Sequence, residues 1–346
     1  MVRNYRMDNI KCFMILGIVL EHSLLIYGYP REFELFWAMA ISWLMPLFTM
    51  ISGYFFKEKP RSILIDKYIY PMMLFSAVNF IVGYFFYSSY QNGIHIVGYA
   101  MWYLLALFVY TVITPPILRK ISLKRLLIIS FIFVLLYQLL PFTFANYYVN
   151  LLQINRIVSF YPLFLIGFWL KANYTKIIQK FTLLQARMLL GCIMSFYLLC
   201  CWHFHGLAYK SGFYIEMGTT TLHILFFFMN YVFVSLIAIL IIFSTPNIKF
   251  RFTHYGERTM SVYLLHMLIV FPLCYGLFSK MSFNILTLLT NCMLSVLLCS
   301  FFFSNVINDK MQTILNSIKW NVCFLAFGFA LILVNNHVLL KIIEIL

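Results

Sequence analysis

Acidic residues are scarce: ten aspartates and glutamates in 346 positions, within a charged fraction of only 10%, where soluble domains carry about 25%. A water-facing globule of this size needs far more charge to cover its surface, which excludes a cytosolic enzyme. A disordered chain is excluded as well, because it would lack the apolar residues that dominate here. No hydrophilic stretch is long enough for a separate soluble domain; the longest loop runs near 203–220. Strict apolar–polar alternation, the mark of a transmembrane β-barrel, is absent. The eight cysteines form no CxxC and no Cys/His ligand spacing, which argues against a disulfide framework or a metal site. They lie almost wholly within apolar runs, as small buried side chains do. No A-x-A-like cleavage site follows the first apolar run, so that run reads as retained.

What is present is apolar: 63% of residues are hydrophobic. The implied fold class is all-α, a polytopic transmembrane helix bundle in a lipid bilayer, each span needing about 20 apolar residues. Eleven candidates can be marked, at 9–27, 33–56, 68–87, 97–118, 124–143, 155–170, 184–203, 221–243, 259–279, 283–306 and 320–340. Ten form a core over residues 1–310, and residues 311–346 add a C-terminal eleventh span. The net charge of +15 does not indicate nucleic-acid binding, since the cations sit in small groups between apolar runs. With the N-terminus in the cytoplasm, twenty of the twenty-five lysines and arginines fall on the inner side, a strong positive-inside signal. Eleven spans then place the C-terminus outside. In intact cells a tag at Met1 is expected to be shielded from external reagents and a tag after Leu346 to be accessible; two shielded tags would make the span count even. High Phe, Ile, Asn and Lys usage points to an AT-rich bacterial genome, and so to a bacterial plasma membrane.

Ionisable groups inside a span are costly and usually functional. In the first span Lys11 and His22 are eleven residues apart, about three turns, so both lie on one helix face roughly 16 Å apart. One face thus carries a cation at the cytoplasmic edge and a proton acceptor deep inside. His22 reads either as a general base or as a histidine that bonds a neighbouring helix. Its neighbour Glu21 points about 100° away and has Arg156 as a candidate partner. His266, on the ninth span, is a second buried histidine, suited to a shared polar cavity or to packing. Met45-Pro46-Leu47-Phe48 and Ser52-Gly53-Tyr54 frame a kink and a close helix contact. Lys67, ahead of Tyr68–Pro71, and Arg61 are interfacial cations, free to bind phosphate or to snorkel. Trp102, Tyr103 and Arg156 fall on the outer half, as an interfacial belt or as acceptor contacts.

These segments, in this order, resemble the acyltransferase 3 family of integral membrane acyltransferases. The carriers are Asp8, Lys11 and His22; Met45–Phe48 with Ser52–Tyr54; Lys67–Pro71; Trp102–Phe108; Arg156 with Phe164–Gly167; and Gly256, Ser261 and Tyr263–His266. Lysine at position 11, where arginine is commoner, looks like the branch of sugar O-acetylases of the fucose-4-O-acetylase type. Glu21 stands where that family usually has an uncharged residue.

The resemblance implies an acyl-CoA donor, acetyl-CoA first of all, and a hydroxyl of an exported or surface glycan, or its lipid-linked precursor, as acceptor. Lys11, Lys67, Ser52 and Arg61 would hold the donor at the cytoplasmic mouth. His22, with Glu21 and His266, would carry the chemistry, and Arg156, Trp102 and Tyr103 the sugar. No metal is implied. A homo-oligomer is compatible with the sequence. The rival from another class is a proton-coupled transporter or glycan flippase that uses the same buried groups to move protons, though no inverted repeat is visible.

Overall fold

A computed structural model describes residues 4–27, 31–86, 100–139, 153–204, 221–274, 281–317 and isolated positions at 276 and between 321 and 328. Among them there are helices and turns and no strand. The first helix, α1, runs unbroken over Tyr5–Leu24. It is followed by α2 (Arg31–Ala40), α3 (Leu44–Tyr54), the short α4 (Arg61–Leu64) and α5 (Tyr70–Phe86). Then come α6 (Trp102–Leu118), α7 (Leu123–Leu139), α8 (Ile154–Ile178), α9 (Leu183–His203) and α10 (Thr221–Ser244). The last are α11 (Thr259–Leu273), α12 (Ile285–Phe302) and α13 (Asn305–Ser317). Of the expected eleventh span, at 320–340, only isolated positions between 321 and 328 are among the described residues, and α13 runs across the boundary expected at residue 310.

Among the described residues, length and apolarity suit four segments for crossing a membrane: Glu34–Tyr54, Leu183–His203, Leu225–Ser244 and Ile285–Phe302; Trp102–Leu118 and Thr259–Val270 are shorter apolar helices. The outward faces of α7, α9 and α12 expose large apolar side chains such as Phe133, Met188, Leu199, Leu286 and Met293, a surface that suits lipid rather than water. α1 falls short of those four in apolarity because it buries Arg6, Asp8, Asn9 and Glu21 instead. It packs against α3, α11, α12 and the tight turn Thr253–Glu257, so its polar groups face protein.

Two expected spans are built differently. The run 33–56 breaks into α2 and α3 around residues 41–43. There the Ser42 amide donates to Trp37 O (2.9 Å), one residue beyond the α-helical partner. The carbonyls so released are met by side chains of the break itself, Ser42 Oγ on Ala38 O (3.1 Å) and Trp43 Nε1 on Met39 O (2.8 Å). Backbone groups out of reach of water need such replacements. The third run begins early, at Arg61 after Pro60, and passes through a wide π-helical turn over Ile65–Ile69 before α5. Pro71 supplies the cause: in a regular α-turn its ring would press on the carbonyl of Lys67, and the wider turn relieves that.

The closest helix contact is between α3 and α8. A Cβ on Gly53 would lie 1.9 Å from the Phe164 carbonyl oxygen, and one on Gly167 would lie 1.8 Å from that of Met50. Only glycine on both helices lets the backbones touch in this way.

Candidate active site

Helix α1 fixes the two ends of the site. Because it is continuous, Lys11 and His22 stand on one face, about 16 Å apart by helical rise. At the first end Lys11 Nζ pairs with Asp8 Oδ1 at 2.8 Å and lies 5.7 Å from the centre of the Phe55 ring. The turn before α11 clasps this end. Thr253 Oγ1 donates to Asn9 Oδ1 (2.6 Å), Asn9 Nδ2 donates to Ile248 O (2.9 Å), and a Cβ on Gly256 would meet the Asp8 carbonyl oxygen at 2.2 Å. The contact holds α11 against α1.

At the other end this packing brings two histidines together. The rings of His22 and His266 have centroids 5.2 Å apart and planes inclined by 37°. His266 is fully buried, with Nδ1 at 2.8 Å from Tyr263 O and 3.0 Å from Val262 O. A carbonyl only accepts, so Nδ1 carries the proton and Nε2 presents a lone pair. Among the described residues, that Nε2 has no hydrogen-bond partner, nor has Nδ1 of His22, and both atoms are sealed from solvent. Each such orphan costs about 1–3 kcal/mol. A pair of them on neighbouring rings can hydrogen-bond a polar group brought within reach. Beside it, Glu21 is 6% exposed and lies within electrostatic reach of Arg156, as does His22. The guanidinium of Arg156 stands 5.5 Å from the centre of the Trp102 ring, and Gln153, in the left-handed region at φ 54°, turns the chain into α8 just before it.

Between the two ends lies a cavity of about 820 Å³. Lys11, Lys67, Ser52 and Tyr103 line it, and it reaches Ile18 and Tyr263. Neither histidine lines it: the cavity stops one helical turn from each, at Ile18 before His22 and at Tyr263 before His266. Helical side chains lean toward the N-terminus of their helix, which brings both rings toward this closed end, and the Tyr263 and His266 rings lie 6.2 Å apart. The hydroxyls of Ser52 and Tyr103 bond at 2.7 Å, and Tyr103 also donates to Phe48 O at 3.0 Å.

The residues expected from sequence therefore form two connected groups. Lys11, Lys67, Ser52 and Tyr103 share the cavity; His22, His266, Glu21, Arg156 and Trp102 gather beyond its end. Tyr103 links the two groups: it lines the lysine-bearing cavity with its hydroxyl bonded to Ser52, and its ring lies 5.8 Å from that of Trp102. Arg61 is exposed and outside the lining; Lys57 and Lys59 take that place, together with Asp66 and Tyr68 of the wide turn. Both lysines stand within the Lys57–Pro60 stretch in plain view, but as short-loop cations they read only as markers of sidedness.

Nothing among curated proteins or solved structures matches the chain. The profile of the acyltransferase 3 family, described as an acyltransferase domain, matches residues 4–305, from the start of α1 to the first residue of α13. That interval holds the α1 face with Lys11 and His22, the glycine-mediated α3–α8 contact and the α11 histidine, and the chain belongs to the acyltransferase 3 family.

Proposed function

We propose that the protein is a membrane O-acyltransferase that moves an acyl group, acetyl first of all, from cytoplasmic acyl-CoA to a hydroxyl of an exported or surface glycan or its lipid-linked precursor, as sugar O-acetylases do. The observation that carries this reading is the cavity: it bears lysines and ends one turn from two facing histidines. Membership of an acyltransferase family supports group transfer, and the lysines suit the phosphates of CoA as charge-assisted donors. An extended pantetheine arm, about 15–20 Å on bond-length grounds, matches the rise from Lys11 to His22.

In this reading the thioester rests near Ile18 and Tyr263, and the acceptor hydroxyl arrives from the side of Arg156 and Trp102. The hydroxyl oxygen attacks the thioester carbonyl while His22 takes its proton. The carbon–sulfur bond then breaks, and the CoA thiolate leaves and collects a proton. His266, with its lone pair held at Nε2, accepts a hydrogen bond from a second hydroxyl of the acceptor and so positions the reacting one. The deciding experiment is acetyl transfer, or release of the CoA thiol from acetyl-CoA, by purified protein in detergent. A transporter or flippase gives neither product.

Lys11→Ala should weaken acetyl-CoA binding about 10-fold to 100-fold, the range for a lost hydrogen bond to a charged group. The loss should exceed that for Lys59→Ala, because it also uncovers the Asp8 carboxylate, now paired at 2.8 Å, beside the phosphates. Lys11→Arg should bind nearly as well as wild type. Calorimetry that finds unchanged affinity in Lys11→Ala would remove Lys11 from the donor site.

A further inference from the structure

One wall of the cavity lies outside the matched acyltransferase residues 4–305. Gln312, Leu315 and Asn316 of α13 line it. Their spacing puts them on one helical face with Asn308, which accepts from Ser261 Oγ at 3.2 Å, while Met311 beside them is 3% exposed. Ser261 belongs to the first turn of α11, and the turn before it abuts Asp8 through Gly256. So α13 stands at the Lys11 end, and Gln312 and Asn316, both exposed, sit at the open mouth.

The chemistry of that mouth is mixed. Lys57, Lys59 and Lys67 only donate hydrogen bonds, as phosphate requires. Asp66 only accepts, and each carboxamide both donates and accepts. The Asp66 carboxylate repels phosphate, and the carboxamides offer acceptors that phosphate does not use, so a bare anion site does not account for the whole mouth. A purine edge does: adenine presents a ring-nitrogen acceptor next to its N6 amino donor, the pattern a carboxamide meets with two hydrogen bonds. Leu315 and Ile63 add apolar lining on which a flat base can rest.

The geometry points to α13 as the nucleobase-reading wall of the site: Gln312 and Asn316 bind the adenine of a CoA-type donor through its N6-bearing edge, while the lysines hold the phosphates. The inference rests on the acyl-CoA reading above and adds a specificity to it, namely that the protein distinguishes CoA from pantetheine carriers that lack the nucleotide.

The test uses full-length protein in detergent and three probes: CoA, 4′-phosphopantetheine, and 1,N6-etheno-CoA, whose etheno ring consumes the N6 donor. Gln312→Leu/Asn316→Leu should lose about 10-fold to 100-fold in CoA affinity, the worth of bidentate base contacts, with an unchanged melting temperature and unchanged phosphopantetheine affinity. Wild type should bind etheno-CoA with a similar deficit, a readout that needs no mutation. Equal binding of CoA and etheno-CoA by wild type overturns the proposal, and so does a double variant that weakens CoA and phosphopantetheine alike or neither. Wild type that binds neither CoA nor phosphopantetheine overturns the donor reading itself, and this inference with it.

Discussion

His22→Gln should insert, fold and bind acetyl-CoA, yet transfer the acyl group about 10²–10⁴-fold more slowly, the usual contribution of a positioned general base. Glutamine keeps similar bulk and hydrogen-bonding capacity but cannot take a proton at neutral pH. The acidic limb of the pH–rate profile, where protonation of a base stops catalysis, should vanish with it. The structure sharpens the contrast with a packing role. His22 Nδ1 is sealed from solvent without a hydrogen-bond partner among the described residues, so His22→Leu removes an unsatisfied atom rather than stranding a partner. Its melting temperature should therefore hold or rise while activity is lost. His266→Gln should behave differently, with a smaller rate loss and a lower melting temperature, because its Nδ1 bonds to the Val262 and Tyr263 carbonyls are given up. Near-normal transfer by His22→Gln would refute the mechanism and leave the fold and the family untouched.

The Lys11–His22 face was legible in the sequence because it needs only one continuous helix and its pitch. The close approach at Gly53 was legible for a related reason: glycine in an apolar helix announces that something comes near. Features that depend on which helix meets which were not. The break at residues 41–43 lies just before Pro46, where a kink was expected, since proline cannot donate to the Ser42 carbonyl four residues back; what was not legible is that the released carbonyls of Ala38 and Met39 are satisfied by the hydroxyl of Ser42 and the indole of Trp43. The wide turn over Ile65–Ile69 follows from Pro71, yet a proline near a helix start signals an ordinary boundary as readily. Lys57 and Lys59 carry the same charge pattern whether they orient the chain or bind phosphate. Gln312 and Asn316 lie on a short polar helix past the apolar core, and only the packing of α13 against α11 turns them toward the cavity. Arg61 shows the converse: a cation two residues from Lys59, with the same sequence credentials, is exposed and does not line the cavity.

The second large effect concerns the α3–α8 contact. Gly167→Ala should lower the melting temperature sharply and abolish transfer, although alanine is the better helix former by about 1 kcal/mol. The added Cβ would sit 1.8 Å from the Met50 carbonyl oxygen, and ordinary contact begins near 3.4 Å. A side chain in the way could rotate aside; a backbone carbonyl in a helix cannot. The two helices must separate by about 1.6 Å there, the difference of those two distances, and overpacking of this kind costs about 1–3 kcal/mol or more. Separation also strains what the contact carries, the Lys171 Nζ bond to Phe56 O at 2.9 Å and the placing of Arg156 on α8 toward Glu21 and His22. Gly191, in the middle of α9, is the control, since a Cβ there meets nothing within 4 Å. Gly191→Ala should therefore keep full activity and raise the melting temperature slightly, through helix propensity alone. The same chemical change thus carries opposite signs at two helical glycines, and a thermal-shift measurement in detergent reads both. Equal melting temperatures for the two variants would mean that α3 and α8 do not touch at Gly167, and the positions of Arg156 and of the cavity wall at Phe164 would have to be redrawn.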